Sequence, residues 1–152
     1  MKFLCGICFC ALALAGTPDK PLGSPEEDLA RLESEPHLEK RARGALDNAE
    51  EALKEAQDAY KKADLSATDA RLREVQQSVE IVDVSLKQTG KNPSRSPKHF
   101  KYAELKTRDL LRKLNGFRDQ MSVVDRPMIE PVIAKVQQVH DTLLDGIMGK
   151  RK

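Results

Sequence analysis

Apolar residues recur at alternating steps of three and four in four stretches of this sequence, which is the spacing of one face of an α-helix. In the first stretch the repeated residue is alanine, at Ala42, Ala45, Ala49, Ala52, Ala56, Ala59 and Ala63. Alanine offers little apolar area but lets a second helix approach closely, so the neighbouring helices must supply the larger core side chains. We therefore predict a helix over about residues 37–63 that packs like a coiled coil through this alanine seam.

Three further stretches carry larger apolar residues on the same spacing. Their stripes are Leu72, Val75, Val79, Val82 and Leu86; then Phe100, Ala103, Thr107, Leu110, Leu114, Phe117 and Met121; and last Ile129, Val132, Val136, Val139 and Leu143. This spacing predicts helices over about residues 67–88, 97–121 and 126–148.

A short helix is predicted before the alanine seam. Ser24 can cap a helix whose first residue is Pro25, and Glu27 completes a capping box. Pro36 removes a backbone donor and disfavours helical geometry at the residue before it, so we expect this helix to end there.

Similar signals predict where the later helices begin and end. Capping residues at Ser66 and Ser96 predict two helix starts, and Gly90 predicts a left-handed stop. Pro131 falls inside the last predicted helix, where we expect it to cost a hydrogen bond or bend the first turn.

Together these segments predict an all-α fold, an up-down antiparallel helical bundle of four main helices plus a short N-terminal helix. The short connection after the alanine seam predicts an antiparallel hairpin between the first two long helices. A three-helix core with the fourth helix at its edge is the structural alternative.

The N-terminus has the pattern of a secretory signal peptide. Lys2 precedes an apolar run over residues 3–14, and Ala13 and Ala15 form an Ala-x-Ala cleavage signal. The sequence thus predicts a signal peptide over residues 1–15, an exported protein of the periplasm or extracellular space, and no membrane span after cleavage. No lipid attachment is predicted, because the cysteines lack a lipoprotein-type context.

Cleavage would change the composition of the chain. All three cysteines, Cys5, Cys8 and Cys10, lie in the predicted leader, so the remaining 137 of 152 residues contain none. A disulfide framework and a thiolate nucleophile are therefore excluded for the mature protein. We expect residues 16–36 to form a flexible acidic arm containing the short helix, residues 37–148 the bundle, and residues 149–152 a basic tail.

The motifs of common active sites are missing. No His follows a Glu at the spacing of a di-iron bundle, and there is neither a Cys-x-x-Cys-His haem motif nor a Gly-x-Ser-x-Gly elbow. His140 lies beside the last apolar stripe, but the first long helix offers only His37 as a second haem ligand. We predict no catalytic residues, no metal site and no cofactor, and hence a protein that is not an enzyme.

Charge is distributed unevenly along the chain. The formal net charge is only +2, but residues 87–118 hold ten basic and two acidic residues, whereas residues 17–35 hold six acidic and two basic residues. Within the basic segment we predict an anion- or partner-binding site, formed by Lys91, Arg95, Lys98, Lys101, Arg108 and Arg112. The alternative is that these charges only solubilise the helix or are neutralised by the acidic arm folding back.

The predicted partner is a protein or an anionic component of the cell envelope. The sequence disfavours nucleic acid because aromatic residues do not alternate with the basic ones, and only Tyr102 is a candidate for stacking on a base. The alternative function is a structural or self-associating helical module, in which the alanine seam would be the contact between copies.

Two segments carry a resemblance to known proteins. TGKNPSRSPKHFKYAELKTRDLLRKL, which begins at Thr89, and DRPMIEPVIAKVQQVHDTLL, which begins at Asp125, resemble a family of small, uncharacterised exported helical proteins of bacteria. The resemblance covers about residues 37–148. It implies bacterial export and a helical bundle, and it implies no activity.

Overall fold

The computed structural model describes residues 23–149, which form an all-α bundle without a β-strand. The helices are α1 (Pro25–Glu33), α2 (Leu38–Lys61), α3 (Leu65–Gln88), α4 (Lys98–Gln120) and α5 (Glu130–Met148), and a single 3₁₀ turn (Arg126–Met128) precedes α5. The predicted fold class is confirmed. The predicted signal peptide lies outside the described residues, as do the first residues of the predicted arm and the last three of the predicted tail.

Consecutive long helices run in opposite directions, and two hairpins, α2–α3 and α4–α5, pack side by side. Glu39 near the start of α2 contacts His99 near the start of α4, and Tyr60 near the end of α2 bonds to Ser122 just after α4. Helices α2 and α4 are therefore parallel neighbours. Because α4 packs on α2 and α5 packs on α3, all four long helices share the core, and the three-helix alternative does not hold.

The alanine seam lies at the centre of this core along most of its length. Ala42, Ala45, Ala49, Ala52 and Ala56 are buried, and the apolar stripe of α3 is buried with them. The last two alanines depart from the prediction. Ala59 is only partly buried, and Ala63 lies outside α2 in a left-handed conformation with φ 59°.

Helix ends agree with the predicted signals in some places and differ in others. The Ser24 capping box and the positive φ of Gly90 are both present. Helix α3 instead begins at Leu65, because the Asp64 side chain accepts from the Ala67 amide at 3.0 Å and so caps the helix two residues before Ser66. Ser96 provides no cap for α4 either, since Pro97 occupies the cap position.

Pro131 does not interrupt a helix. The chain forms the 3₁₀ turn first, and α5 then begins at Glu130, which places Pro131 within its first turn. Amides in the first turn of a helix have no intrahelical acceptor, so the proline costs no hydrogen bond there. The predicted loss of a hydrogen bond at Pro131 was wrong, because the last segment is divided into a 3₁₀ turn and α5.

Although we predicted the N-terminal arm to be flexible, its helical part packs on the outer side of α2 and α3. Leu32 is buried and its Cδ2 atom lies close to Gly44 of α2. Arg71 of α3 donates to the backbone oxygen of Gly23 at 2.9 Å. Helix α1 is thus a fifth packed element, and it lies against the α2–α3 hairpin.

Candidate functional site

Helix α4 presents four predicted site residues on one outward face. Lys98, Lys101, Arg108 and Arg112 are all exposed, at the same steps of three and four that bury the apolar stripe on the other side of the helix. We call these four residues the basic stripe. Leu105 lies in the middle of the stripe and is 51% exposed. The exposure of the four basic residues confirms the predicted shared outward face.

Few carboxylates oppose the basic stripe. Arg108 lies 3.8 Å from Glu104, and Arg112 bonds to Asp109, both within α4 itself. Pairs of this kind on an exposed helix surface contribute little to stability. Lys98 and Lys101 are exposed and form no direct ion pair within residues 23–149, although Lys98 is close enough to help lower the pKa of the Glu39 carboxyl.

The two remaining predicted residues, Lys91 and Arg95, lie in the loop before α4, and Lys91 bonds to α2. Arg95 is exposed. Lys91 donates to Glu39 of α2, and this hydrogen bond holds the pKa of the Glu39 carboxyl below its ordinary value. Lys91 therefore belongs to the end of the bundle rather than to the outward face of α4.

Other basic residues of the segment hold the two hairpins together. Lys106 and Lys113 donate to the two carboxylate oxygens of Glu50 on α2, at 2.9 Å and 3.1 Å. Burial opposes ionisation of Glu50, but these two hydrogen bonds outweigh it and hold its pKa below the ordinary value. An acidic residue of α2 thus takes part in the packing of the two hairpins.

The acidic arm does not neutralise the basic stripe. Asp28 pairs with Arg31 and Arg71, and Glu35 pairs with Lys40. No residue of α4 takes part in these pairs within the described chain. The alternative in which the arm folds back over the basic segment therefore fails for residues 23–36.

A cleft of about 810 Å³ opens where α2 and α4 begin and α3 ends. Leu38, Ala42, Leu46, Leu86 and Ala103 contribute apolar atoms to its lining. The Arg43 guanidinium lies 4.6 Å from the centre of the Tyr102 ring, so one face of the ring is occupied and is not free to stack on a base. Tyr102 is only partly exposed.

A buried polar cluster between α1, α2 and α3 was not predicted. Glu74 is fully buried, and it accepts from Asn48 at 2.8 Å and from Arg71 at 2.6 Å. Ser78 also accepts from Asn48, at 3.1 Å. A second stripe on α3 carried the signal, since Arg71, Glu74, Ser78, Ile81 and Ser85 repeat at helical steps next to the apolar stripe.

His140 is partly buried, and its Nδ1 atom lies 3.2 Å from the Thr107 hydroxyl.

Residues 23–149 hold no group of three His, Cys, Asp or Glu side chains that could bind a metal ion. Across the same range, no helix is both long and apolar enough to span a bilayer.

No protein-family model matches the sequence, and neither the curated proteins nor the solved structures gave a significant match. The resemblance to exported bacterial proteins therefore stays a prediction.

Proposed function

We propose that this is a non-enzymatic exported protein whose helical bundle binds an acidic protein or an anionic envelope component through the basic stripe. The observation that carries the proposal is that Lys98, Lys101, Arg108 and Arg112 are all exposed on one face of α4, where Lys98 and Lys101 form no direct ion pair within residues 23–149. A charged surface of this kind attracts partners of opposite charge and orients them.

The surroundings of the stripe support a macromolecular partner. Leu105 places an exposed apolar side chain between the basic residues, and a protein interface combines such a contact with a charged rim. Phe100 and Phe117 are buried and Tyr102 lies under Arg43. Single-stranded nucleic acids are bound largely by stacking on exposed aromatic rings, so the proposal favours an acidic protein or envelope polymer.

Charge reversal tests this proposal. We expect the purified protein to bind heparin, anionic vesicles or cell-wall fractions at low salt, and to lose this binding as salt screens the charges. Reversal of Lys98, Lys101, Arg108 and Arg112 to Glu should abolish binding. Reversal of four exposed basic residues elsewhere, Lys54, Lys61, Lys62 and Arg73, changes the net charge equally and is the control.

The outcome is decisive in both directions. Loss of binding in the stripe variant but not in the control variant supports the proposal. Absence of binding to all three targets at low salt overturns it, as does equal loss in both variants, which would show that only net charge matters.

Exposed valines support self-association as a second candidate. Val123 and Val124, between α4 and α5, are 75% and 86% exposed. The alanine seam is filled by other helices of the same chain, so a contact between copies would use this apolar tip instead. Sedimentation of the wild-type protein and of a Val123→Ser, Val124→Ser variant tests this function, and a wild-type monomer at high concentration overturns it.

A further inference from the structure

The cleft at the start of α2 and α4 combines an apolar lining with a cationic rim. Its volume of about 810 Å³ lies within the range of small-molecule sites. Ala42 and Ala103 line it, and small side chains at these positions leave space that larger ones would fill.

The rim carries more positive than negative charge. Lys40, Arg43, Lys91 and Lys98 line the cleft, against Glu39 as the acidic residue among the lining side chains. Glu39 forms an ion pair with Lys91, and Lys40 pairs with Glu35 outside the cleft. Neither Arg43 nor Lys98 forms a direct ion pair within residues 23–149: the Arg43 guanidinium lies over the Tyr102 ring, and Lys98 acts on Glu39 only at longer range.

We propose that this cleft binds a long-chain carboxylate, with the head group at Arg43 and Lys98 and the alkyl chain along the apolar lining. The site goes beyond the proposed function, because it shares only Lys98 with the basic stripe. Glu39 supports the choice of head group: its own carboxylate already lies at this rim, bonded to Lys91 and 3.7 Å from His99.

The head group and the alkyl chain of the ligand match the cationic rim and the apolar lining of the cleft. A carboxylate supplies the direct ion pair that Arg43 and Lys98 do not form within residues 23–149, and guanidinium groups match carboxylate geometry well. An alkyl chain covers apolar surface that water otherwise meets, and each methylene buried in this way raises affinity up to about fourfold. A carboxylate without a chain would satisfy only the rim.

Calorimetric titration with dodecanoate below its micelle concentration tests the proposal. We expect saturable binding of one molecule per chain, with affinity that rises from octanoate through decanoate to dodecanoate. Acetate, which lacks the chain, and dodecyl maltoside, which lacks the charge, should each bind at least about tenfold more weakly. Shifts of the Ala42 and Ala103 amide resonances should locate the ligand.

Variants of the rim give opposite expected effects. Arg43→Gln with Lys98→Gln should weaken dodecanoate binding about tenfold, because both proposed contacts to the head group are lost. Glu39→Gln should strengthen binding severalfold, because it removes a negative charge from the rim. Lys61→Gln with Arg73→Gln, at exposed sites away from the cleft, should leave the affinity unchanged.

Several outcomes would overturn the proposal. These are absence of dodecanoate binding, equal binding of dodecyl maltoside, weaker binding by the Glu39→Gln variant, or amide shifts confined to other parts of the chain. Reversal of Lys101, Arg108 and Arg112 to Glu separates the two sites, because it should remove vesicle binding and preserve dodecanoate binding. Either function can therefore fail without the other.

Discussion

Arg71 donates from its guanidinium to the fully buried carboxylate of Glu74 at 2.6 Å. The same guanidinium contacts Glu55 of α2 at 2.8 Å and donates to the Gly23 backbone oxygen before α1. One side chain thus joins three helices, and its removal would leave the Glu74 carboxylate inside the protein with only Asn48 and no opposite charge.

Replacement of Arg71 by Ala should therefore lower the free energy of unfolding by about 3–5 kcal/mol, the usual effect of breaking a buried ion pair. Urea unfolding measures this change. Arg73→Ala, two residues along the same helix and exposed, is the control and should change stability by less than about 0.5 kcal/mol. Equal effects of the two substitutions would show that Glu74 does not depend on Arg71.

The apolar spacing of the sequence predicted the long helices because burial requires one continuous face, and the stripes at Leu72 and Leu110 provide it. The same reasoning missed Glu74, because a charged residue beside an apolar stripe looks solvated until a partner such as Arg71 or Asn48 covers it. Helix α1, which closes over that side, could be placed only by tertiary contacts.

The basic stripe was predictable for a related reason, since residues such as Lys101 and Arg108 owe their exposure to the position of the apolar stripe on α4. The spacing of the sequence could not reveal which basic residues form ion pairs between helices. Lys91 and Lys106 find their partners, Glu39 and Glu50, on a helix more than fifty residues away in sequence. Only the parallel packing of α2 and α4 brings these charges together.

Two helical glycines should respond differently to substitution by alanine. A Cβ atom at Gly116 meets nothing within 4 Å, whereas a Cβ atom at Gly44 would lie 3.2 Å from Leu32 Cδ2. Alanine favours a helix interior over glycine by about 1 kcal/mol. Gly116→Ala should therefore stabilise the protein by about that amount.

Gly44→Ala should gain less than Gly116→Ala, because the buried Leu32 side chain must move by a few tenths of an ångström to relieve the contact. Thermal unfolding of both variants tests the difference. Combining Gly44→Ala with Leu32→Ala should remove the contact, so that Gly44→Ala regains its helix benefit when it is measured in the Leu32→Ala background. Equal stabilisation by the two glycine substitutions would show that α1 does not constrain Gly44.

Glu50 should make stability depend on pH in the acid range. Hydrogen bonds from Lys106 and Lys113 lower its pKa in the folded state despite its partial burial. The stabilisation is therefore full above the unfolded-state pKa of about 4.3, and it is lost as the pH falls through the lower folded-state value.

Glu50→Gln should therefore cost about 1 kcal/mol near pH 7, the upper end for a pair that is still partly exposed, and progressively less below pH about 4. Urea unfolding of wild type and variant across this range measures the difference. Glu51→Gln is the control, because Glu51 is exposed and its 3.7 Å pair with Lys54 lies within α2. A constant Glu50→Gln effect down to acid pH would exclude this role of the carboxylate.

Tyr60 connects the end of α2 to the segment between α4 and α5. Its hydroxyl accepts from the Ser122 amide and donates to Asp125, both at 2.9 Å, while its ring packs edge-on against Phe117. Tyr60→Phe keeps the ring contact and removes both hydrogen bonds, so it should lower stability by about 1–2 kcal/mol.

The local signature of that change is the exchange rate of the Ser122 amide hydrogen. In Tyr60→Phe this amide loses its acceptor and should exchange faster, whereas the Met121 amide, which bonds to the Phe117 backbone oxygen at 3.1 Å, should keep its protection when exchange occurs by local opening. Unchanged exchange at Ser122 would mean that the Tyr60 hydroxyl does not hold this segment. Equal acceleration at both amides would instead indicate global destabilisation, which comparison with the measured free energy of unfolding identifies.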